Sequence, residues 1–135
     1  MINFITLHDN ALYPTRGTTY SVGYDLYCPK HVLLKPQVVT KIALGITLAL
    51  PDMSIWGNIK DRSSMSNHGV FVVGGVVDPD YDGEISVMLY NSNTFKIQIS
   101  KNDRIAQMVF LPVIVNHNEG ANKTRSTGGF GSTGK

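Results

Sequence analysis

Glu84-Ile85-Ser86-Val87-Met88-Leu89-Tyr90 puts Ile85, Val87 and Leu89 on one face when the chain is extended. Side chains on a strand alternate between two faces, so this pattern predicts a half-buried β-strand. The stretch Thr94-Phe95-Lys96-Ile97-Gln98-Ile99 repeats it, with Phe95, Ile97 and Ile99 together. Working outward, residues 2–7 alternate weakly, residues 54–60 carry Ile55, Trp56 and Ile59, and residues 70–73 are short and apolar. Residues 38–50 and 104–115 are longer apolar segments, the first ended by Pro51 and the second broken by Pro112. Turn-forming residues separate these segments at short intervals. That spacing predicts an all-β fold, a jelly-roll-like barrel or sandwich. Residues 63–68 suit one or two helical turns, and no long amphipathic helix or internal repeat is evident.

The chain has 135 residues, enough for one domain with an ordinary core. Twelve basic residues against ten acidic ones give a net charge of +2, without a long basic run. That balance argues against nucleic acid as a partner. Cys28 is the only cysteine, so no internal disulfide is expected and a reducing compartment is the simpler reading. Residues 1–10 lack the basic and apolar regions of a signal peptide, and no apolar run approaches a membrane span. These features predict a cytoplasmic or otherwise intracellular protein, a nuclear one included, without membrane association.

Composition changes after Val115. Residues 116–135 are rich in Asn, Gly, Ser and Thr, and Phe130 is their one large apolar side chain. The expected division is therefore a β core over residues 1–115 and a mobile arm over residues 116–135. The arm contains Gly129-Phe130-Gly131-Ser132-Thr133-Gly134-Lys135, which matches both GxGxxG and most of a P-loop. Both motifs need a helix after the glycines, and none can follow within this sequence. Asp78-Pro79-Asp80-Tyr81-Asp82-Gly83 resembles the start of an EF-hand loop, but its twelfth position is Leu89 rather than a bidentate glutamate. What remains is physical. Glycine-rich backbone forms an anion nest, Phe130 offers a stacking face, and the Arg125 fork matches phosphate oxygens. Those features suit a lid over a nucleotide, and a plain disordered tail is the alternative.

Five segments in order carry a family resemblance. They are Ser21-Val22-Gly23-Tyr24-Asp25-Leu26-Tyr27, Asp61-Arg62-Ser63-Ser64-Met65, Gly74-Gly75-Val76-Val77-Asp78-Pro79-Asp80-Tyr81-Asp82-Gly83, Asn102-Asp103-Arg104-Ile105-Ala106-Gln107-Met108, and the segment from Arg125 to Gly134. Together they resemble the trimeric-type dUTPases, which convert dUTP and water to dUMP and pyrophosphate. Such enzymes limit uracil incorporation into DNA and supply dUMP for dTTP synthesis. The family's β jelly roll agrees with the strand reading above.

The resemblance implies a role for each matching residue. Asp78 would orient and activate the attacking water, as a carboxylate with an ordinary pKa near 4 is ionised at neutral pH. Its alternative is a turn before Pro79. The backbone of Gly75, Val76 and Val77, in a hairpin formed by residues 70–77 and 84–90, would read uracil. Cytosine reverses uracil's donor–acceptor pattern and would leave buried groups unpaired. Tyr81 would pack on the sugar and leave no room for a 2′-hydroxyl, or else be a core aromatic. Arg62, Ser63, Ser64 and Gln107 would bind phosphates, with N-capping the alternative for the serines. Family members often carry glycine where Ser64 stands, and Asn102 also replaces a usual glycine. Asp103 and Arg104 suit a structural ion pair equally well.

The cofactor implied is Mg²⁺, with Asp25 holding one of its waters and no direct protein ligand expected. His8, His31, His68 and His117 lack ligand spacing, and Cys28 is expected to pack. Arg125, Phe130, Gly131, Ser132 and Thr133 would close over the substrate. The implied partners are dUTP and two further copies of the chain, in a homotrimer with shared active sites. Two other readings stay open. One is a dCTP deaminase, alone or bifunctional, and the other is a catalytically silent nucleotide sensor or protein-binding module on the same fold.

Overall fold

A computed structural model of the chain describes residues 2–114. The strands in order are β1 (Asn3–Thr6), β2 (Gly23–Tyr27), β3 (Val32–Leu34), β4 (Val39–Ala43), β5 (Ile46–Ala49) and β6 (Ile55–Lys60). One short helix follows, α1 (Ser63–Asn67). Then come β7 (Val70–Val73), β8 (Val76–Val77), β9 (Ser86–Asn91), β10 (Ile97–Ile99) and β11 (Arg104–Pro112). All ladders are antiparallel. A four-stranded sheet has the order β2-β11-β6-β8, and a three-stranded sheet the order β4-β9-β7. The pairs β1–β5 and β3–β10 complete the architecture. The all-β expectation therefore holds.

The alternation read in residues 84–90 is realised in β9. Ile85, Val87 and Leu89 are buried together with Leu26, Ile105 and Met108 of the four-stranded sheet, Ile42 of the three-stranded sheet, and Leu34 and Ile46 of the two-stranded pairs. Burying such side chains stabilises by roughly 1.5–3 kcal/mol each. Asn91 ends β9 inside this core. Its amide nitrogen donates to the carbonyls of Leu34 (3.1 Å) and Phe95 (2.9 Å), which ties the β3–β10 ribbon to the three-stranded sheet. A buried amide is tolerated because its hydrogen bonds are made.

Several expectations are corrected. Residues 38–50 are two strands in different sheets, because Gly45 turns the chain at φ +71°. Phe95 does not share the face of Ile97 and Ile99. It sits in the preceding turn, 59 % exposed, with its carbonyl held by Asn91. Residues 70–77 are not one hairpin arm: β7 pairs with β9, but β8 crosses to pair with β6. Gly74 (φ +72°) and Gly75 (φ +102°) make that crossing, in a region other residues rarely adopt. A Cβ on Gly75 would lie 2.6 Å from the Ile59 carbonyl oxygen, so the approach also requires glycine. Asp103 does not pair with Arg104. Its carboxylate accepts the Ser100 N–H at 2.8 Å, next to Asn102 in the left-handed region at φ +71°.

Cys28 is fully buried, as expected of a packing residue. Its thiol donates to the Lys30 carbonyl at 3.1 Å, and burial pushes its pKa above the ordinary thiol value. None of the described helices is long and apolar enough to cross a membrane.

Candidate active site

Three of the five motifs meet because β11 lies between β2 and β6. Gln107 on β11 faces Asp25 of β2 on one side and Lys60 of β6 on the other. Beyond Lys60 the chain leaves β6 through Asp61 and Arg62 and enters α1 at Ser63. The antiparallel register thus assembles residues 25, 62 and 107 from distant parts of the sequence.

Asp25 organises this cluster. Its backbone N–H donates to the Thr15 carbonyl at 2.7 Å, fixing the strand. Its Oδ1 accepts Arg62 Nε at 3.0 Å, and its Oδ2 lies 3.6 Å from Arg104 Nη1. Arg62 Nη1 also donates to Ser64 Oγ and to the Arg104 carbonyl, both at 3.2 Å. A charge-assisted hydrogen bond in a half-buried setting orients both partners. Arg62 occupies the N-cap position of α1 without a side-chain cap, so neither Ser63 nor Ser64 is the N-cap. Both serines are exposed in the first turn. His68, at the other end of α1, has its Nδ1 2.7 Å from the Ser64 carbonyl.

Gln107 is held differently. Its Nε2 donates to the Asp61 carbonyl at 2.8 Å. The Asp61 side chain accepts the Val72 N–H, so the end of β6 is pinned to β7. The Gln107 side chain passes over Gly23, where an added Cβ would fall 2.9 Å from its Cδ and closer still to its oxygen. Gly23, Asp61 and the pairing of Arg104 with Asp25 were not singled out in the sequence. Gly23 and Asp61 lay inside quoted motifs, but their contacts join residues far apart in the chain.

The third motif lies elsewhere. Val77 is buried and pairs with Gly57, while Val76 is 69 % exposed. β8 is an edge strand, so one side of its backbone faces away from β6. Exposed Asp78 follows, and its carbonyl accepts the Tyr81 N–H at 3.1 Å in a turn. Tyr81 packs against the core, and its hydroxyl donates to the Glu84 carbonyl at 2.7 Å. Glu84 in turn accepts the Gly45 N–H at 2.8 Å. The ring is held by packing and by that hydrogen bond. The turn role of Asp78 is real, and it leaves the carboxylate at the surface.

The family model for dUTPase matches residues 9–134. The chain belongs to the dUTPase family. Deoxyuridine 5'-triphosphate nucleotidohydrolase of Debaryomyces hansenii is 36 % identical over 134 residues, covering 94 % of this chain and 83 % of that protein. The swinepox virus enzyme of the same name is 34 % identical, covering 98 % and 96 %. The human mitochondrial one is 36 % identical over 99 % of this chain, which spans 55 % of that protein's length. A dUTPase from phage phi11 of S. aureus superposes with a TM-score of 0.81 at 20 % identity, covering 93 % of this chain and 99 % of that one. That likeness establishes the fold, a β jelly roll, as the sequence pattern predicted.

Among the described residues of this dUTPase-family chain, no three His, Cys, Asp or Glu side chains cluster to hold a metal ion. A cation bound directly to Asp25 does not fit, because two guanidiniums already face its oxygens. A hydrated cation carried on a triphosphate fits better, since each carboxylate oxygen keeps capacity to accept from water. Arg125, Phe130, Gly131, Ser132 and Thr133 lie outside the described residues.

Proposed function

We propose that this chain hydrolyses dUTP to dUMP and pyrophosphate in sites shared between the subunits of a homotrimer. The observation that carries the shared site is a separation along β6. Val77, next to Asp78, pairs with Gly57, whereas Gln107 pairs with Lys60. Those rungs are about 10 Å apart, and Arg62 lies two residues further on. Within one chain Asp78 and the Asp25–Arg62–Gln107 cluster therefore lie toward opposite ends of β6. A water directed by Asp78 acts on the α-phosphorus, while the cluster's residues hold the same triphosphate. A second copy, supplying the cluster opposite the first copy's Asp78, closes the gap.

The chemistry then follows from the residues. Uracil is taken at the sheet edge along Gly75, Val76 and Val77, where the Val76 backbone turns away from β6 while the Gly75 carbonyl is held by the Ile59 N–H, and N–H and C=O groups match its O4 and N3–H. Tyr81 lies under the deoxyribose, its ring fixed by the hydroxyl bond to Glu84. Ser63, Ser64 and Gln107 donate to phosphate oxygens, while Arg62 aligns Ser64 from its anchor on Asp25. Asp78 accepts a proton from the attacking water, whose oxygen bonds to the α-phosphorus as pyrophosphate departs. A magnesium ion carried on the triphosphate would offset phosphate charge, and Asp25 would accept a hydrogen bond from one of its waters. A dUTPase of phage phi11 coordinates a structural Mg(II) ion, and one of bacteriophage 80alpha binds dUpNHpp. Arg125, Phe130, Gly131, Ser132 and Thr133 close over phosphates and base and exclude bulk water.

Pyrophosphate release measured with dUTP and each of the four common dNTPs tests this reading. Turnover confined to dUTP supports it. Ammonia released from dCTP would favour a deaminase, and inertness toward all five would favour a silent binding module.

A further inference from the structure

We propose that Gly23 is a positioning residue for this reaction, because its lack of a side chain lets Gln107 lie across β2 with its amide in one orientation. The proposal rests on the dUTPase reading above. Gly23 pairs with Val109 on the β2–β11 ladder, so it is the diagonal neighbour of Gln107. The Gln107 side chain therefore has two directions open to it. It either turns toward Asp25 directly opposite, or leans along the strand over Gly23.

The second direction is the one adopted. An ideal Cβ on Gly23 would collide with the Gln107 amide oxygen and sit 2.9 Å from Cδ and 3.2 Å from Cβ. Gly23 does not have the positive φ that would demand glycine for backbone reasons, as Gly74 and Gly75 do. Space is therefore the requirement at this position.

With the oxygen over Gly23, Nε2 faces the other way and donates to the Asp61 carbonyl at 2.8 Å. A carbonyl only accepts, so the contact fixes which end of the amide is nitrogen. That nitrogen has a second N–H. Under the dUTPase reading, that second N–H is the donor offered to a substrate phosphate. A methyl group at residue 23 would push the amide off Asp61 and misdirect this donor, without touching substrate itself.

The test compares the full-length chain with Gly23→Ala, Gln107→Ala and the double variant. Pyrophosphate release from dUTP gives kcat and KM for each, and thermal unfolding gives Tm. Gly23→Ala should lower kcat/KM about 10- to 100-fold, the scale of one hydrogen bond to a charged group. Its loss should divide between kcat and KM as that of Gln107→Ala does. The double variant should be no worse than Gln107→Ala alone, since the obstructed amide is gone. Losses that multiply in the double variant, or a Gly23→Ala enzyme with unchanged kinetics, overturn the proposal. If Gly23→Ala alone does not fold, the double variant relieves the clash, and the same comparison with Gln107→Ala decides. A second readout is the Gln107 side-chain amide signal in ¹⁵N spectra, assigned by its loss in Gln107→Ala. It should shift in Gly23→Ala, and an unmoved signal overturns the proposal. A wild-type chain inactive on dUTP would instead refute the activity, while the amide spectra would still decide whether Gly23 sets the side chain.

Discussion

Asp25 faces Gln107 across the β2–β11 ladder, yet its carboxylate holds Arg62 at 3.0 Å while the Gln107 amide turns away to Asp61. The carboxylate and the amide therefore do separate work. Asp25 anchors a guanidinium, and through it the hydroxyl of Ser64. Asp25→Ala would leave two arginines facing each other around an empty position. It should cost about 1.5–3 kcal/mol of stability, the scale for a hydrogen bond to a charged group. Urea unfolding at neutral pH measures this, and a change below a few tenths of a kcal/mol would show the pair to be energetically idle.

Asp78 stands at the surface just after the buried Val77, in a turn closed by backbone atoms. Asp78→Asn keeps that turn and removes the base. Turnover should fall by about 10²–10⁴ while nucleotide affinity changes little, the usual effect of losing a positioned base. Isothermal titration with a non-hydrolysable dUTP analogue, alongside kcat, separates the two effects.

The distance along β6 predicts complementation between inactive variants. Asp78→Asn and Gln107→Ala should each be weak alone. Refolded together, they should form mixed trimers in which some sites receive Asp78 from one subunit and Gln107 from another. Activity of the mixture should exceed that of either parent. Activity no greater than the parents' average would place both residues in one chain's site. Light scattering should give three times the chain mass of 14.8 kDa.

Removing residues 125–135 should abolish most turnover and leave the β core folded. Far-UV circular dichroism and pyrophosphate release read the two parts independently, and an unchanged rate would make the arm passive.

Burial raises the pKa of Cys28. The folded state therefore favours the protonated thiol more than the unfolded chain does, whose value is about 8.5. The resulting stability is fully present below that value and is lost as pH rises through the raised one. Native protein should react slowly with iodoacetamide at neutral pH and quickly in urea. Above about pH 8.5, stability should decline more gently for Cys28→Ala than for the wild type.

Strand character and core identity were legible in the sequence because both depend on a short period. Ile85, Val87 and Leu89 are two apart, and a pleated strand places them on one face whatever lies opposite. The family's motifs were legible for a related reason, since each is a short run of residues. Only the tertiary structure decided which motifs meet. Gln107 lies between Asp25 and Lys60 through the register of β11, and no local pattern encodes a register. The crossing at Gly74 and Gly75 depends on the carbonyl of Ile59, a residue of another strand. The room that Gly23 leaves for Gln107 has the same character. Periodicity is written along the chain, whereas contact across strands is decided by pairing, and pairing becomes definite when the sheets close on a shared core.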